Sequence, residues 1–178
     1  MNFAIVTATL FWVSLLSPEI DTSPQARLPA SQVATKRSVL VKEANGALGA
    51  ERHHAKQPYC QNPHYSQMDL NQCAARELRT SLIHYQTYSS AITQLLELQV
   101  ADEVSIDPTP YRKAALTFGK AESSWKDYYV QTCHAVASQN EGGSMQPLTD
   151  LSCREDLIQR HMEELATVFS FLWDPSET

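Results

Sequence analysis

The sequence predicts an all-α fold: a small antiparallel three-helix bundle stapled by two disulfides, with a disordered N-terminal extension. Three long segments repeat apolar residues at steps of three and four positions, which places those residues on one face of a helix. No run with the alternation of a β-strand competes with them. The chain also contains four cysteines, at Cys60, Cys73, Cys133 and Cys153. An even number of cysteines behind an apolar leader indicates disulfides.

The first 17 residues predict a signal peptide. They carry no charge, and residues 3–16 form an apolar run that is too short to span a bilayer but suits a signal-peptide core. An uncleaved anchor is the alternative, and before cleavage the segment can touch the membrane. We therefore predict an exported protein, periplasmic or extracellular, in a compartment where disulfides persist.

The sequence of residues 18–58 indicates a basic, mostly disordered linker. No helical or strand period persists there, and four prolines and the Asn45-Gly46 pair punctuate the stretch. Six basic residues stand against two acidic ones between positions 27 and 56. Only a short helix around Val33–Lys42 fits the pattern, because the rest offers little apolar surface to bury.

Residues 59–178 form the predicted helical domain, and its first helix runs from about Ser66 to Val100. Ser66 supplies an N-cap, and Asp69 places a carboxylate in the first turn. The predicted buried stripe is Leu70, Ala74, Leu78, Leu82, Tyr85, Tyr88, Ile92 and Leu95 or Leu96.

A second helix begins at Thr109-Pro110, which offer an N-cap and a proline at the first helical position. Its predicted face is Tyr111, Ala114, Phe118, Ala121, Trp125, Tyr128, Cys133 and Val136. We assign Trp125 and Tyr128 to the core, because aromatic residues at helical spacing usually pack inward.

The third helix is predicted to follow a loop over residues 138–147. Ser152 and Glu155 fit a capping box at its start, and Pro175 stops it. Its predicted stripe is Ile158, His161 or Met162, Leu165, Val168 or Phe169, and Leu172.

Antiparallel helices bring all four cysteines to one end of the bundle, so helix polarity leaves three pairings open. We favour the sequential pairing, Cys60 with Cys73 and Cys133 with Cys153, because loops of about 15 residues suffice for ~3 kcal/mol of stabilisation in the chain-entropy model. The alternative, Cys73 with Cys133 and Cys60 with Cys153, would link helices directly.

The folded part is acidic, with eight basic against sixteen acidic residues from position 59 onward. This charge disfavours nucleic acid as a partner and favours a basic protein. The sequence contains no G-x-S-x-G, phosphate-binding glycine loop or H-E-x-x-H motif, so we predict a binding protein without a cofactor rather than an enzyme.

The histidines lack the spacing of a metal site, and we predict none. His53, His54 and His64 fall in or near the linker, where we expect them to be solvated. The helical histidines, predicted to lie at the surface or at its boundary, are His84, His134 and His161.

Three motifs resemble those of a known family. QMDLNQCAARE at residues 67–77 is similar to a Q-x-E-M-N-x-C-A-A-x-E opening. AESSWKDY at 121–128, followed by Cys133, is similar to A-Q-x-x-W-x-x-[YF], and EGGSMQP at 141–147, followed by Cys153, to a G-G-S-M-x-P loop. In this order they resemble the LprI-type lysozyme-inhibitor domain.

The resemblance implies an exported, disulfide-bearing helical domain that inhibits a lysozyme or binds another envelope-directed protein. The candidate binding loop is Gly142, Gly143, Ser144 and Met145. Its backbone amides or Ser144 would hydrogen-bond the catalytic carboxylates of a basic lysozyme-type protein. Two alternatives stay open: a plain turn with Met145 packed inward, and a structural or scaffolding envelope domain with no inhibitory activity.

Overall fold

The computed structural model describes residues 29–57, 60–102 and 109–173, and these residues are helical almost throughout. The helices are α1 (Ala30–His54), α2 (Gln67–Asp102), α3 (Thr109–Ala137) and α4 (Gln146–Val168), with short 3-10 turns at Ser138–Asn140 and Ser170–Trp173. The predicted all-α class is confirmed, since the described residues contain no strand. None of these helices is long and apolar enough to cross a bilayer. The predicted signal peptide and Pro175 lie outside the described residues.

For residues 30–54, helix α1 corrects the prediction of a disordered linker, and it makes the bundle one of four helices rather than three. Residues 18–28 of the predicted linker lie outside the described residues. It packs along α2 and also contacts α4. Its buried face consists of Val33, Leu40, Ala44, Ala47, Leu48, Glu51 and His54. Alanines and two ionisable residues make up most of that face, so the stripe has little apolar signal in the sequence. The Asn45-Gly46 pair, predicted to mark a turn, lies within the helix.

The four helices run up and down in turn. The pairs His54–Glu77 and Glu51–His84 show that α1 and α2 are antiparallel, because the residue numbers decrease along α1 as they increase along α2. α2 contacts each of the other helices, and α4 does the same. α2 and α4 therefore form a central parallel pair that α1 and α3 flank. We call the end that holds both disulfides the disulfide pole; there α1 and α3 end and α2 and α4 begin.

The buried face of α2 is largely as predicted, with the aromatic and aliphatic positions from Leu78 onward in the core. The face of α3 is rotated by about one position. Ala121 and Tyr128 are exposed, Tyr128 to 57%, whereas Ala115 and Glu122 are buried. The assignment of Tyr128 to the core is therefore wrong, while Trp125 packs against the core. Glu122 turns inward because the neighbouring helices supply it with hydrogen bonds.

Helix α4 begins at Gln146, not near Ser152. Pro147 lies in its first turn, where a proline loses no hydrogen bond. Ser152 and Glu155 are thus interior helical residues, and the predicted capping box is wrong. The predicted stripe is confirmed at Ile158, Met162, Leu165 and Leu172, which are buried. Of the alternatives Val168 and Phe169, Phe169 packs against the core, whereas Val168 is 64% exposed.

Replacing Leu48 with alanine is expected to lower the free energy of unfolding by about 2–3 kcal/mol, because Leu48 is buried in the core that α1 shares with α2. Val39→Ala is the matched control on α1. Val39 is 50% exposed, so its truncation should change stability by about 0.5 kcal/mol or less. Urea unfolding followed by circular dichroism measures both. Equal stability of the two variants would contradict the packing of α1.

Candidate functional site

Two disulfides close the disulfide pole. They join Cys60 to Cys73 and Cys133 to Cys153, with Cα–Cα distances of 5.7 and 5.5 Å. The sequential pairing is therefore confirmed. The first bridge ties the segment after α1 to the start of α2. The second connects the end of α3 with the first half of α4 and encloses the candidate binding loop.

The loop between α3 and α4 is a preformed turn. Gly142 has a φ of +75°, a left-handed conformation that favours glycine. The Gly143 amide donates to the Asn140 carbonyl over 2.9 Å, and a Cβ at Gly143 would lie 3.1 Å from that same oxygen. The Gly142 amide donates to the Gln146 side chain over 3.3 Å. Both glycines therefore serve the geometry of the turn itself.

The tip of the loop faces solvent. Met145 is 47% exposed, and Ser144 is exposed as well. Met145 therefore does not pack inward as a plain turn residue would. The amides of Gly142 and Gly143 already have acceptors within the turn. The exposed groups that the loop offers to a partner therefore include the Ser144 hydroxyl and the Met145 side chain.

Other apolar side chains are exposed at the same pole. Tyr65 is 37% exposed, Met68 66% and Val136 40%. They lie just before α2, in its first turn and in the last turn of α3. Single exposed apolar residues are ordinary, and several also occur along the helix sides. These three lie at the same end of the bundle as the Gly142–Met145 loop, because α3 ends there and α2 begins there.

A buried polar group, the Glu122 network, joins α2, α3 and α4. The Glu122 carboxylate accepts hydrogen bonds from Tyr85 over 2.6 Å and Ser89 over 2.8 Å, and it lies 2.9 Å from His161 Nε2. The His161 ring stacks on Trp125 with 3.9 Å between centroids. Burial opposes ionisation of Glu122, but the hydrogen bonds from His161, Tyr85 and Ser89 outweigh it and hold the pKa below its ordinary value. Through the stacked His161 ring, this network holds Trp125 against the core.

A second buried group lies between α1, α2 and α4. Glu51 is only 2% exposed. It accepts a hydrogen bond from Ser81 over 2.7 Å and lies 2.6 Å from His84 Nδ1. His54, one turn later, is 5% exposed, so its predicted solvation is wrong, whereas the prediction holds for the exposed His53.

Two acidic side chains approach His54 from the neighbouring helices. Nε2 lies 3.6 Å from Glu77 of α2 and 3.5 Å from Glu155 of α4. Burial, followed by the charges of Glu77, Glu51 and Asp156, raises the pKa of Glu155 to about 7. Sequence patterns could not predict that His54, Glu77 and Glu155 lie close together, because each belongs to a different helix.

Neither group has the geometry of a hydrolytic triad. In a triad the imidazole lies between the hydroxyl and the carboxylate, so that it can take the hydroxyl proton. Here the carboxylates of Glu51 and Glu122 occupy the central position, between a hydroxyl and an imidazole. The arrangement stabilises helix contacts and does not activate a nucleophile.

Comparison with known proteins adds to this geometry. The family model described as lysozyme inhibitor LprI matches residues 60–165. This chain belongs to the LprI lysozyme-inhibitor family. It is also 27% identical over 100 residues to the uncharacterized protein R02472 of Rhizobium meliloti (strain 1021), in an alignment that covers 56% of this chain and 71% of that protein. No solved structure matches the chain.

The family region contains both disulfides, the Glu122 network and the Gly142–Met145 loop. Helix α1 precedes it, yet α1 completes the bundle by covering α2. In this LprI-family chain, residues outside the matched region thus contribute to the core.

Proposed function

We propose that this LprI-family protein is exported and inhibits a lysozyme-type protein by binding it through the disulfide pole. Membership of the LprI family over residues 60–165 carries the proposal. The two disulfides support export, because such bonds persist in oxidising compartments. The exposed loop at the pole supplies a surface for contact.

The charge of the chain supports a basic partner. The region from residue 59 onward has twice as many acidic as basic residues. Complementary charge accelerates the encounter of two proteins and aligns them before contact. A glycosidase cleft of the lysozyme type contains a pair of catalytic carboxylates. The acidic inhibitor would bind at the rim of this cleft.

The loop then acts at the cleft. The Ser144 hydroxyl donates a hydrogen bond to a catalytic carboxylate, and Met145 covers apolar surface beside it. The amides of Gly142 and Gly143 keep their partners in the turn, so they do not take part. The Cys133–Cys153 bridge and the internal hydrogen bonds hold the loop in shape before binding, which lowers the ordering cost.

A Met145→Glu variant tests the loop. Inhibition should weaken about tenfold or more, because a carboxylate at the contact would meet the carboxylates of the cleft and the apolar contact would be lost. Val168→Glu is the matched control, since Val168 is an exposed apolar residue at the opposite end of α4. A turbidity assay of cell-wall lysis by a basic muramidase measures both.

Two results would count against the proposal. Undiminished lysis in the presence of excess wild-type protein would reject inhibition of that enzyme. Equal loss of inhibition in the Met145 and Val168 variants would reject the loop as the contact while leaving inhibition itself in place.

A further inference from the structure

A second potential site lies in the groove between α1, α2 and α4, near the disulfide pole. The groove contains a cavity of about 250 Å³. Its lining includes His54, Glu77, Glu155 and Asp156, and no lysine or arginine. Three carboxylates and one imidazole thus face a common space without a basic side chain of the lining to neutralise them. Such a lining suits a cation.

The position of His54 is the most specific feature of this cavity. The ring is 95% buried, and Nε2 lies 3.6 Å from Glu77 Oε2 and 3.5 Å from Glu155 Oε1. Both distances exceed the range of about 2.7–3.2 Å of a hydrogen bond. Donor atoms at about 2.0–2.2 Å from one tetrahedral zinc ion lie about 3.3–3.6 Å from each other. The two N–O separations therefore match those of ligands that share an ion.

Neighbouring contacts anchor the end of α1 that carries His54. Glu51, one turn before His54, bonds to Ser81 and His84 of α2 and fixes the end of α1 against that helix. The Cys60–Cys73 bridge lies beside the cavity and anchors the chain that follows α1. The His84 ring also lies edge-on to the His54 ring, with 6.1 Å between the centroids.

The cysteines beside the cavity are not ligands in this state. Among the described residues, the three donor groups that already lie within 4.8 Å of one another are Cys60, Cys73 and Glu77. The two sulfur atoms are bonded to each other, so this trio offers an ion only the Glu77 carboxylate. The donor atoms of His54, Glu77 and Glu155 do not yet all lie within that distance of one another. An ion at His54 would therefore draw the Glu155 carboxylate, whose side chain is 22% exposed, toward Glu77.

We propose that His54, Glu77 and Glu155 bind one divalent ion of the zinc class, with water completing its coordination. Imidazole with carboxylates suits zinc and its transition-metal neighbours, whereas magnesium and calcium prefer oxygen ligands alone. The three ligands come from three helices, so the ion would link α1 to the family domain. The proposal does not depend on lysozyme inhibition.

Titration of the full chain with Zn²⁺, disulfides intact, tests the site by calorimetry. One Zn²⁺ should bind per chain and raise the melting temperature, and Co²⁺ should give the visible absorption of a tetrahedral site. His54→Ala and Glu155→Gln should each weaken binding about tenfold or more, since even outer-shell partners account for about 10–100-fold. His53→Ala is the matched control, because His53 is exposed and adjacent. It should bind as the wild type does.

Several outcomes would overturn the site. Loss of binding in His53→Ala but not in Glu155→Gln would assign the ion to surface histidines. Binding that appears only after treatment with a dithiol would assign it to the Cys60 and Cys73 thiolates. Glu155→Gln keeps the size of the side chain, so unchanged affinity in this folded variant would reject the proposal even if His54→Ala failed to fold.

Discussion

Replacing His161 with alanine is expected to lower the free energy of unfolding by about 3–5 kcal/mol, because it removes a hydrogen-bond partner of a buried carboxylate together with a ring packed in the core. Nε2 of His161 lies 2.9 Å from Glu122, whose side chain is only 8% exposed. Without the imidazole, the carboxylate stays buried beside two hydroxyl donors alone. The loss of the ring that stacks on Trp125 also leaves a void in the core. Urea unfolding followed by tryptophan fluorescence measures the change.

The stability that the Glu122 network contributes should decrease as the pH falls. Hydrogen bonds from His161, Tyr85 and Ser89 hold the pKa of Glu122 below its ordinary value despite burial. A carboxyl with a lowered folded pKa stabilises the protein above its unfolded pKa, and this contribution is lost as the pH falls through the folded value. Without His161 the pKa of Glu122 rises. Acid unfolding of the variant should therefore begin at a higher pH than in the wild type.

His134→Ala supplies the matched control for this prediction. His134 also lies on a helix but is exposed, so its removal should change stability by about 0.5 kcal/mol or less. If both histidine variants unfolded at the same urea concentration, the Glu122 network would not contribute to stability as its geometry requires.

The sequence predicts three of the four helices because their cores are built from large apolar residues. On α2 the aromatic and aliphatic stripe through Tyr85, Tyr88 and Ile92 is unmistakable at a period of 3.6, and all three are buried. On α1 the corresponding stripe centres on Ala44, Ala47 and Glu51. Small residues allow two helices to approach closely, but they give no apolar pattern until the partner helix is known.

The rotation of α3 has a related cause. Local periodicity favours Ala121 over Glu122 as the inward residue, because an isolated carboxylate is costly to bury. The hydrogen-bond donors that reverse this preference lie on α2 and α4, far along the chain. The same holds for Glu51 and His54, whose partners are also on other helices. Buried polar contacts between helices are therefore the part of this fold that sequence patterns alone could not predict.

The position of the candidate loop could be predicted, but its chemistry could not. Two adjacent glycines and the spacing of Cys133 and Cys153 place a turn at residues 142–145. Whether the glycine amides point outward depends on the backbone angles of the turn. The structure directs them to Asn140 and Gln146, which leaves Ser144 and Met145 for a partner.

Removing the Cys133–Cys153 bridge should affect both stability and the proposed inhibition. The two cysteines are 20 residues apart, and a closed loop of that size stabilises a protein by about 3 kcal/mol in the chain-entropy model. A Cys133→Ala/Cys153→Ala variant should lose about that much. Its loop would no longer be held between α3 and α4, so part of the binding free energy would go into ordering it. Inhibition in the lysis assay should weaken about tenfold or more.

Cys60→Ala/Cys73→Ala is the control that separates these two effects. Its bridge spans 13 residues, so the loss of stability should be similar, at about 3 kcal/mol. That bridge encloses no part of the Gly142–Met145 loop, and inhibition should therefore persist at a temperature where circular dichroism shows both variants folded. Equal inhibition by the two variants would mean that the second disulfide stabilises the bundle without preorganising the loop. Loss in the Cys60/Cys73 variant alone would move the contact surface to the segment between α1 and α2.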